Sequence, residues 1–392
     1  VLGRLGELAR HKRARPEVRE FEYHLETRLW EIRDELEAGE YAWGPFRRFW
    51  IDDPKRREIR AAPFLTEHSG SRERTLPGLA VDGQVVLTSR EALARPTLPA
   101  AVAIVGGGAV GVEFAYVYAS FGAHVTIVEM ADTLLPGMDV DLGRELARVF
   151  GRRGVEVLVG HRFERLARSE AGAALTVAGP GGERTVAAEC VLVAVGREPL
   201  TAALGLEEAG VRTEHGFVVT DPAMRTTVDG VWAIGDLVGP LLLAHAASAQ
   251  GVLAVETMAG VRADGRGIDP TRIPLCVYCR PEVAAVGLTE AEARAQGRKV
   301  AVGKVPFRAL GKATAAGHPD GFVKLVADAH HGEILGVHMI GEGVTELIAE
   351  AGLARTLEAT TAELVATVHA HPTLAEGLRE AALIARGEGI NL

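Results

Sequence analysis

The chain has 392 residues, 47% of them apolar and 24% charged, which suits a globular protein with substantial cores and roughly two to three domains. Its net charge of −9 disfavours nucleic acid and anionic membranes as main partners. No apolar run reaches the ~18 residues that a membrane-spanning helix needs. Three cysteines make no disulfide framework. The opening "VLGRLGELARHKRARPEV" lacks an apolar signal core, so the expected compartment is the cytoplasm.

Residues 1–66 differ in texture from the rest of the chain. Phe21, Leu25, Leu29, Ile32 and Leu36 recur at helical steps, predicting an amphipathic helix that ends near Gly39. The plain reading is a charged helical cap with a basic loop after it. The stretch "GPFRRFWIDDPKRREIRAAPF" resembles the N-terminal part of retroelement reverse transcriptases, which makes this a foreign segment with a seam near residues 64–71. No Tyr-x-Asp-Asp motif is present to hold two catalytic metal ions, so polymerase activity is not expected. A nucleic-acid grip through "PKRREIR" is also disfavoured, because residues 1–64 carry 14 basic against 13 acidic side chains.

Residues 67–100 read as loop and short strand, with turn signals at Pro77-Gly78 and Asp82-Gly83. Residues 101–105 and 124–129 are apolar runs flanking a helical pattern over 109–120. This strand–helix–strand unit predicts an α/β, doubly wound, Rossmann-like sheet covered on both faces. Between strand and helix, "VGGGAVG" sets Gly106, Gly108 and Gly111 in G-x-G-x-x-G spacing, with Gly107 inside it. Such glycines allow the tight turn, the approach of a pyrophosphate and close helix–strand packing, while the helix N-terminus favours negative charge. Glu129 closes the second strand, where a carboxylate accepts ribose hydroxyls and repels a 2′-phosphate. NAD(H) is therefore expected over NADP(H).

Residues 151–200 read as strand-rich. "GVWAIGD" reads as a strand delivering Asp236, and "LLLAHAASAQG" as the start of a helix whose Ala244 and His245 N–H groups face outward. An Asp capping a helix is the plain alternative. Strands and helices alternate over 269–392. Near the end, His371 stands five residues before Glu376, a spacing that lets a carboxylate steer an imidazole for proton transfer. Cys276 and Cys279 have redox spacing but read as strand, and Cys190 reads as a buried small hydrophobe. His330, His331 and His338 show no metal-ligand pattern, so surface or core roles are expected.

The pieces "LPGLAVDG", "VAIVGGGAVGVEFA", "VLVAVGREP", "GVWAIGDLVG", "CVYCRPEVAAVGLTE" and "HAHPTLAE" fall in order over residues 72–392. Together they resemble the flavin- and NAD-dependent pyridine nucleotide-disulfide oxidoreductases of the dihydrolipoamide dehydrogenase type. The resemblance implies an NAD-binding domain (101–223), a partial FAD domain (67–100 and 224–268) and an α+β interface, or dimerisation, domain (269–392). It implies FAD contacts from Asp236 and from Leu243, Ala244 and His245. Gly196 would lie along the nicotinamide nucleotide, and Glu113 near the nicotinamide–flavin contact. His371 would take the proton of a thiol beside the flavin across a homodimer interface, with Glu376 orienting it. Electrons would pass from a dihydrolipoyl-type dithiol, carried by a 2-oxoacid dehydrogenase complex, through FAD to NAD. Phe163 departs from the small aliphatic residue expected beside the adenine. The family's first glycine fingerprint and its C-x-x-x-x-C redox pair are absent from this sequence. The chain alone is therefore expected to be inactive. The alternative is a non-catalytic, NAD-binding, dimerising module.

Overall fold

The computed structural model describes residues 47–53, 55–61, 70–169, 172–202, 204–260 and 266–389. The helix expected over residues 21–36 and most of the expected seam lie outside the described residues. The chain divides into two compact units: residues 1–71 with 199–268, and residues 72–198 with 269–392.

The second unit holds a five-stranded parallel sheet. Its strands are β1 (Val86–Leu87), β2 (Ala101–Val105), β3 (His124–Val128), β4 (Glu156–Leu158) and β8 (Cys190–Val193), in the order β1-β8-β2-β3-β4. Between β4 and β8 the chain forms an antiparallel meander of β5 (Arg162–Ser169), β6 (Gly172–Gly179) and β7 (Gly182–Ala188). Side chains on β2 alternate between two cores, as strand geometry requires. Val102 and Ile104 face Val112 and Ala115 of helix α1 (Ala109–Ser120) and Leu142, Leu146 and Phe150 of helix α2 (Val140–Arg152). Ala103 and Val105 face Leu175, Val177 and Val186 of the meander. Both faces are covered as expected, but one of them by strands rather than helices. Helix α2 is amphipathic, with Leu142, Leu146, Val149 and Phe150 on its buried face. Asp139 caps it by accepting a hydrogen bond from the Asp141 N–H.

An antiparallel sheet comes next: β9 (Leu275–Val277), β10 (Glu282–Gly287), β11 (Val300–Pro306), β12 (Phe322–Asp328) and β13 (Ile334–Gly341), in the order β9-β10-β13-β12-β11. Helices α3 (Val344–Thr356) and α4 (Glu376–Ala385) pack on it through Ile348, Ala351, Leu378, Ala381 and Ala382. Cys276 lies in β9, but Cys279 lies in the turn before β10, so the two do not share one strand as expected. Among the described residues, no helix is long and apolar enough to cross a membrane.

Two domain boundaries differ from those expected. Residues 67–100, expected as a flavin-domain remnant, contribute β1 to the parallel sheet, because Val86 and Leu87 pair with Val191 and Leu192 and are fully buried there. Residues 199–223 cluster with 224–268 rather than with the nucleotide domain.

In the first unit, Arg47–Asp53 and Lys55–Ala61 form an antiparallel hairpin where a basic loop was expected. The aromatic and β-branched residues of "RRFWIDD" favour strand over loop. The strand expected at "GVWAIGD" is only an isolated bridge between Arg225 and Trp232, with a 3₁₀ turn over Gly235–Leu237 after it. A strand exists through its neighbours, and the residues beside this one supply that single bridge. A small core of Met224, Leu253 and Ala254, with Trp232 and Ile234 against it, supports the helix Ala244–Met258.

Candidate functional site

The loop between β2 and α1 is built as its glycines require. Gly106 has φ +110°, and a Cβ there would meet the Ala194 carbonyl oxygen at 2.3 Å. A Cβ on Gly111 would stand 1.9 Å from the Gly106 oxygen, so α1 can approach β2 only through glycine. Gly108 caps α1 with no side-chain bond, and a Cβ there would meet nothing within 4 Å. The space in front of Gly108 and the uncapped N–H groups of α1 suit a diphosphate. Beside them, Glu129 is 8% exposed. Its Oε2 accepts the Gly107 N–H at 2.6 Å and its Oε1 the Ala131 N–H at 2.7 Å. The expected carboxylate therefore faces the glycine loop. These residues fit a dinucleotide without a 2′-phosphate. Gly196 is exposed with φ +103° and open space at its Cβ position. Phe163 packs instead on the core between sheet and meander, its ring 3.4 Å from a Cβ built on Gly78.

Glu113 projects from α1 and accepts the Tyr278 N–H at 2.8 Å, a partner that the sequence did not flag. Burial pushes its carboxyl above the usual range, and that N–H only partly opposes the shift. The three thiols are poor nucleophiles. Burial and the nearby Glu113 charge push Cys279 up to about 12. Burial raises Cys190 to about 11, and it also raises Cys276. His338 is a core residue whose Nε2 faces the Leu288 carbonyl at 3.0 Å. His330 and His331 are exposed and donate their backbone N–H groups to Asp328. No group of His, Cys, Asp and Glu among the described residues could hold a metal ion.

In the first unit, Asp236 is 2% exposed and accepts a hydrogen bond from the Ser71 hydroxyl. It sits in the 3₁₀ turn and is not the cap of the next helix. Leu243 caps that helix without a side-chain bond, and Ala244 and His245 are exposed at its start. One buried carboxylate and one uncapped helix end fit part of a flavin nucleotide.

His371 is 77% exposed, and its Nδ1 lies 2.9 Å from Glu376 Oε1. Glu376 Oε2 also accepts the Thr373 N–H at 2.8 Å. Burial raises the Glu376 carboxyl, but that N–H and the His371 ring more than offset it, leaving it below the usual range. The carboxylate thus fixes the tautomer that bares Nε2 to the outside. The sequence also did not flag the buried Lys324. Its Nζ lies 3.0 Å from both oxygens of Asp139, 3.1 Å from Asp141 and 3.0 Å from Glu290, joining the start of α2 to the antiparallel sheet. The pattern "GFVKLVAD" shows it as a charge inside an apolar run that Asp328 closes.

Residues 69–251 match the family described as pyridine nucleotide-disulphide oxidoreductase, and residues 273–382 match its dimerisation domain. Dihydrolipoyl dehydrogenase of Bacillus subtilis (strain 168) is 44% identical over 325 residues, which span 82% of this chain and 68% of that protein. The enzyme of the same name from Chlorobaculum tepidum is 48% identical over 316 residues, 80% of this chain and 67% of that one. Among solved structures, LpdA from Mycobacterium tuberculosis superposes with a TM-score of 0.75 at 27% identity, covering 97% of this chain and 86% of that one. The flavoprotein disulfide reductase RclA from Escherichia coli gives 0.71 at 28% identity, covering 80% and 72%.

Proposed function

Because the chain belongs to the pyridine nucleotide-disulphide oxidoreductase family, whose members use FAD and NAD, we propose that it carries the NAD-binding and proton-transfer parts of a dihydrolipoyl dehydrogenase. The observation that supports this most is the Glu129 carboxylate turned onto the Gly107 N–H beside the open face of Gly108. Gly106, Gly107, Gly108 and Gly111 bring the start of α1 to the diphosphate, and Glu129 accepts the adenosine ribose hydroxyls. Gly196 and Glu113 flank the nicotinamide end. Asp236 and the Leu243–His245 turn hold part of FAD. Where both were bound, FAD and NAD together would supply two-electron transfer away from a dithiol.

His371 receives or returns the dithiol proton at Nε2, and Glu376 holds the ring at Nδ1. The ring is 77% exposed, as it must be to reach a group outside its own chain in a homodimer. The dithiol is of the dihydrolipoyl type, presented by a 2-oxoacid dehydrogenase complex. The sequence holds no second glycine fingerprint and no C-x-x-x-x-C pair, and its three thiols are all raised by burial. Turnover therefore does not come from this chain alone. The segment before residue 67 is a foreign, reverse-transcriptase-like piece.

Calorimetric titration of NADH into the full chain tests the nucleotide site. Glu129→Lys is expected to weaken binding more than tenfold, about 1.4 kcal/mol or more. Equal affinity in the variant contradicts the assignment. Added FAD is expected to leave no stable flavin spectrum and no dithiol-dependent NADH production. Turnover would mean instead that the chain is a complete enzyme.

A further inference from the structure

A cavity of about 290 Å³ lies among the 3₁₀ turn Pro270–Arg272, the start of β13 and the last turn of α3. It shares no residue with the glycine loop, Glu129, the Asp236 turn or the loop of His371. Leu288, Ile334 and Leu335 line it with apolar surface, and Arg272, Arg298 and Arg355 with positive charge. These three guanidinium groups are not equally paired. Arg272 pairs with Asp269 at 3.3 Å and with Glu358 at 3.0 Å, and Arg298 pairs with Glu333 at 2.9 Å. Arg355 has only neutral acceptors. Its Nη1 donates to the Ile334 carbonyl at 2.7 Å and its Nη2 to the Thr271 hydroxyl at 2.9 Å. Its Nε–H is buried and has no acceptor among the described residues. Burial lowers its pKa, and the Asp269 and Glu333 charges only partly offset this. A half-buried cation with no ion-pair partner, carrying an orphaned N–H, costs free energy that an entering anion recovers.

We propose that this cavity binds a small organic carboxylate, its charged group on Arg355 and its hydrocarbon part against Leu288, Ile334 and Leu335. One guanidinium without an ion-pair partner calls for one negative charge. A carboxylate is planar and accepts parallel N–H groups from a guanidinium edge. A phosphate would bring further charge toward Asp269, Glu333 and Glu358, which stand on the same walls. An amine would meet Arg355 as a like charge. The volume is at the small end of ligand pockets, so the occupant is short. Filling the cavity ties the segment before β9 to β13 and to the end of α3, three pieces that already meet through the Arg355 donors. The folded chain therefore gains stability as ligand concentration rises. The proposal rests neither on the nucleotide site nor on His371.

The test is thermal unfolding of the full chain in rising sodium butyrate, against sodium chloride of equal ionic strength and against butyramide, the uncharged isostere. Butyrate is expected to raise the midpoint in a saturable way, and butyramide to leave it unchanged. Arg355→Gln should need at least about tenfold more butyrate for half-saturation. Arg355→Lys keeps the charge but not the fork, and should fall between that variant and the parent. Substitution at an exposed arginine outside the cavity, Arg386→Gln, should leave the response as it is in the parent. No response beyond that to sodium chloride, or an equal response to butyramide, overturns the proposal. So does unchanged half-saturation in folded Arg355→Gln. Half-saturation by inorganic phosphate at a lower concentration than butyrate overturns the choice of a carboxylate. If Arg355→Gln does not fold, Arg355→Lys takes its place, and an affinity equal to the parent's overturns the assignment to Arg355.

Discussion

Gly106 and Gly108 stand two residues apart and separate the stability of the loop from its chemistry. Gly106→Ala forces a side chain to φ +110° and against the Ala194 carbonyl, so a loss of about 1–3 kcal/mol or more is expected. Gly108→Ala has extended backbone and open space, so its thermal midpoint should match that of the parent. Differential scanning calorimetry of the two variants checks the contrast. The thiols give a second prediction at this scale. With Cys190 at about 11 and Cys279 at about 12, thiolate is scarce even at mildly alkaline pH. Fewer than one thiol per chain should react quickly with a chromogenic disulfide reagent in the native state. All three should react after denaturation. The glycine roles were legible in the sequence because G-x-G-x-x-G spacing between a strand and a helix has few other uses. The Tyr278 N–H on Glu113 was not, because it joins residues far apart in the chain.

Among the elements, α2 and the antiparallel sheet meet through Lys324. Asp139 serves twice there, capping α2 and pairing with the ammonium group. Lys324→Met leaves three carboxylates around an uncharged side chain, with Asp139 almost fully buried, and should cost about 3–5 kcal/mol in urea unfolding. Two neighbours set the pH dependence. Burial raises Asp141, but Lys304 and Lys324 more than offset it. Arg294 and then Lys324 hold Glu290 down. Carboxyls depressed in the folded state add stability above their unfolded value, about 4. That stability disappears as pH falls through the folded value. The parent should therefore hold its urea midpoint from neutrality down to about pH 5 and lose it below about pH 4, with a shallower loss in the variant. The runs over 101–105, 109–120 and 124–129 matched their elements closely, since a five-residue apolar strand and a twelve-residue helix each suit one period. The helix Ser89–Ala94 escaped notice although Thr88 and Glu91 form a legible capping box. The run "GVWAIGD" had the composition of a strand but lacked neighbours to pair with.

At the scale of the molecule, family membership accounts for most of residues 69–382. The parallel sheet and meander present the glycine loop and Glu129, and the antiparallel sheet presents His371 on the loop before α4. Composition told nothing of how residues 67–100 and 199–223 would divide, because β1 joins the parallel sheet through only two residue pairs. The functional reading depends on the glycine loop and Glu129 forming a site for NAD(H). The most direct test is a paired fluorescence titration of the full chain and Gly108→Ala with NADH and with NADPH. The parent should bind NADH at least tenfold more tightly than NADPH, about 1.4 kcal/mol, and Gly108→Ala should lose NADH without losing stability. Equal affinity for the two nucleotides, or undiminished NADH binding in Gly108→Ala, would contradict the site.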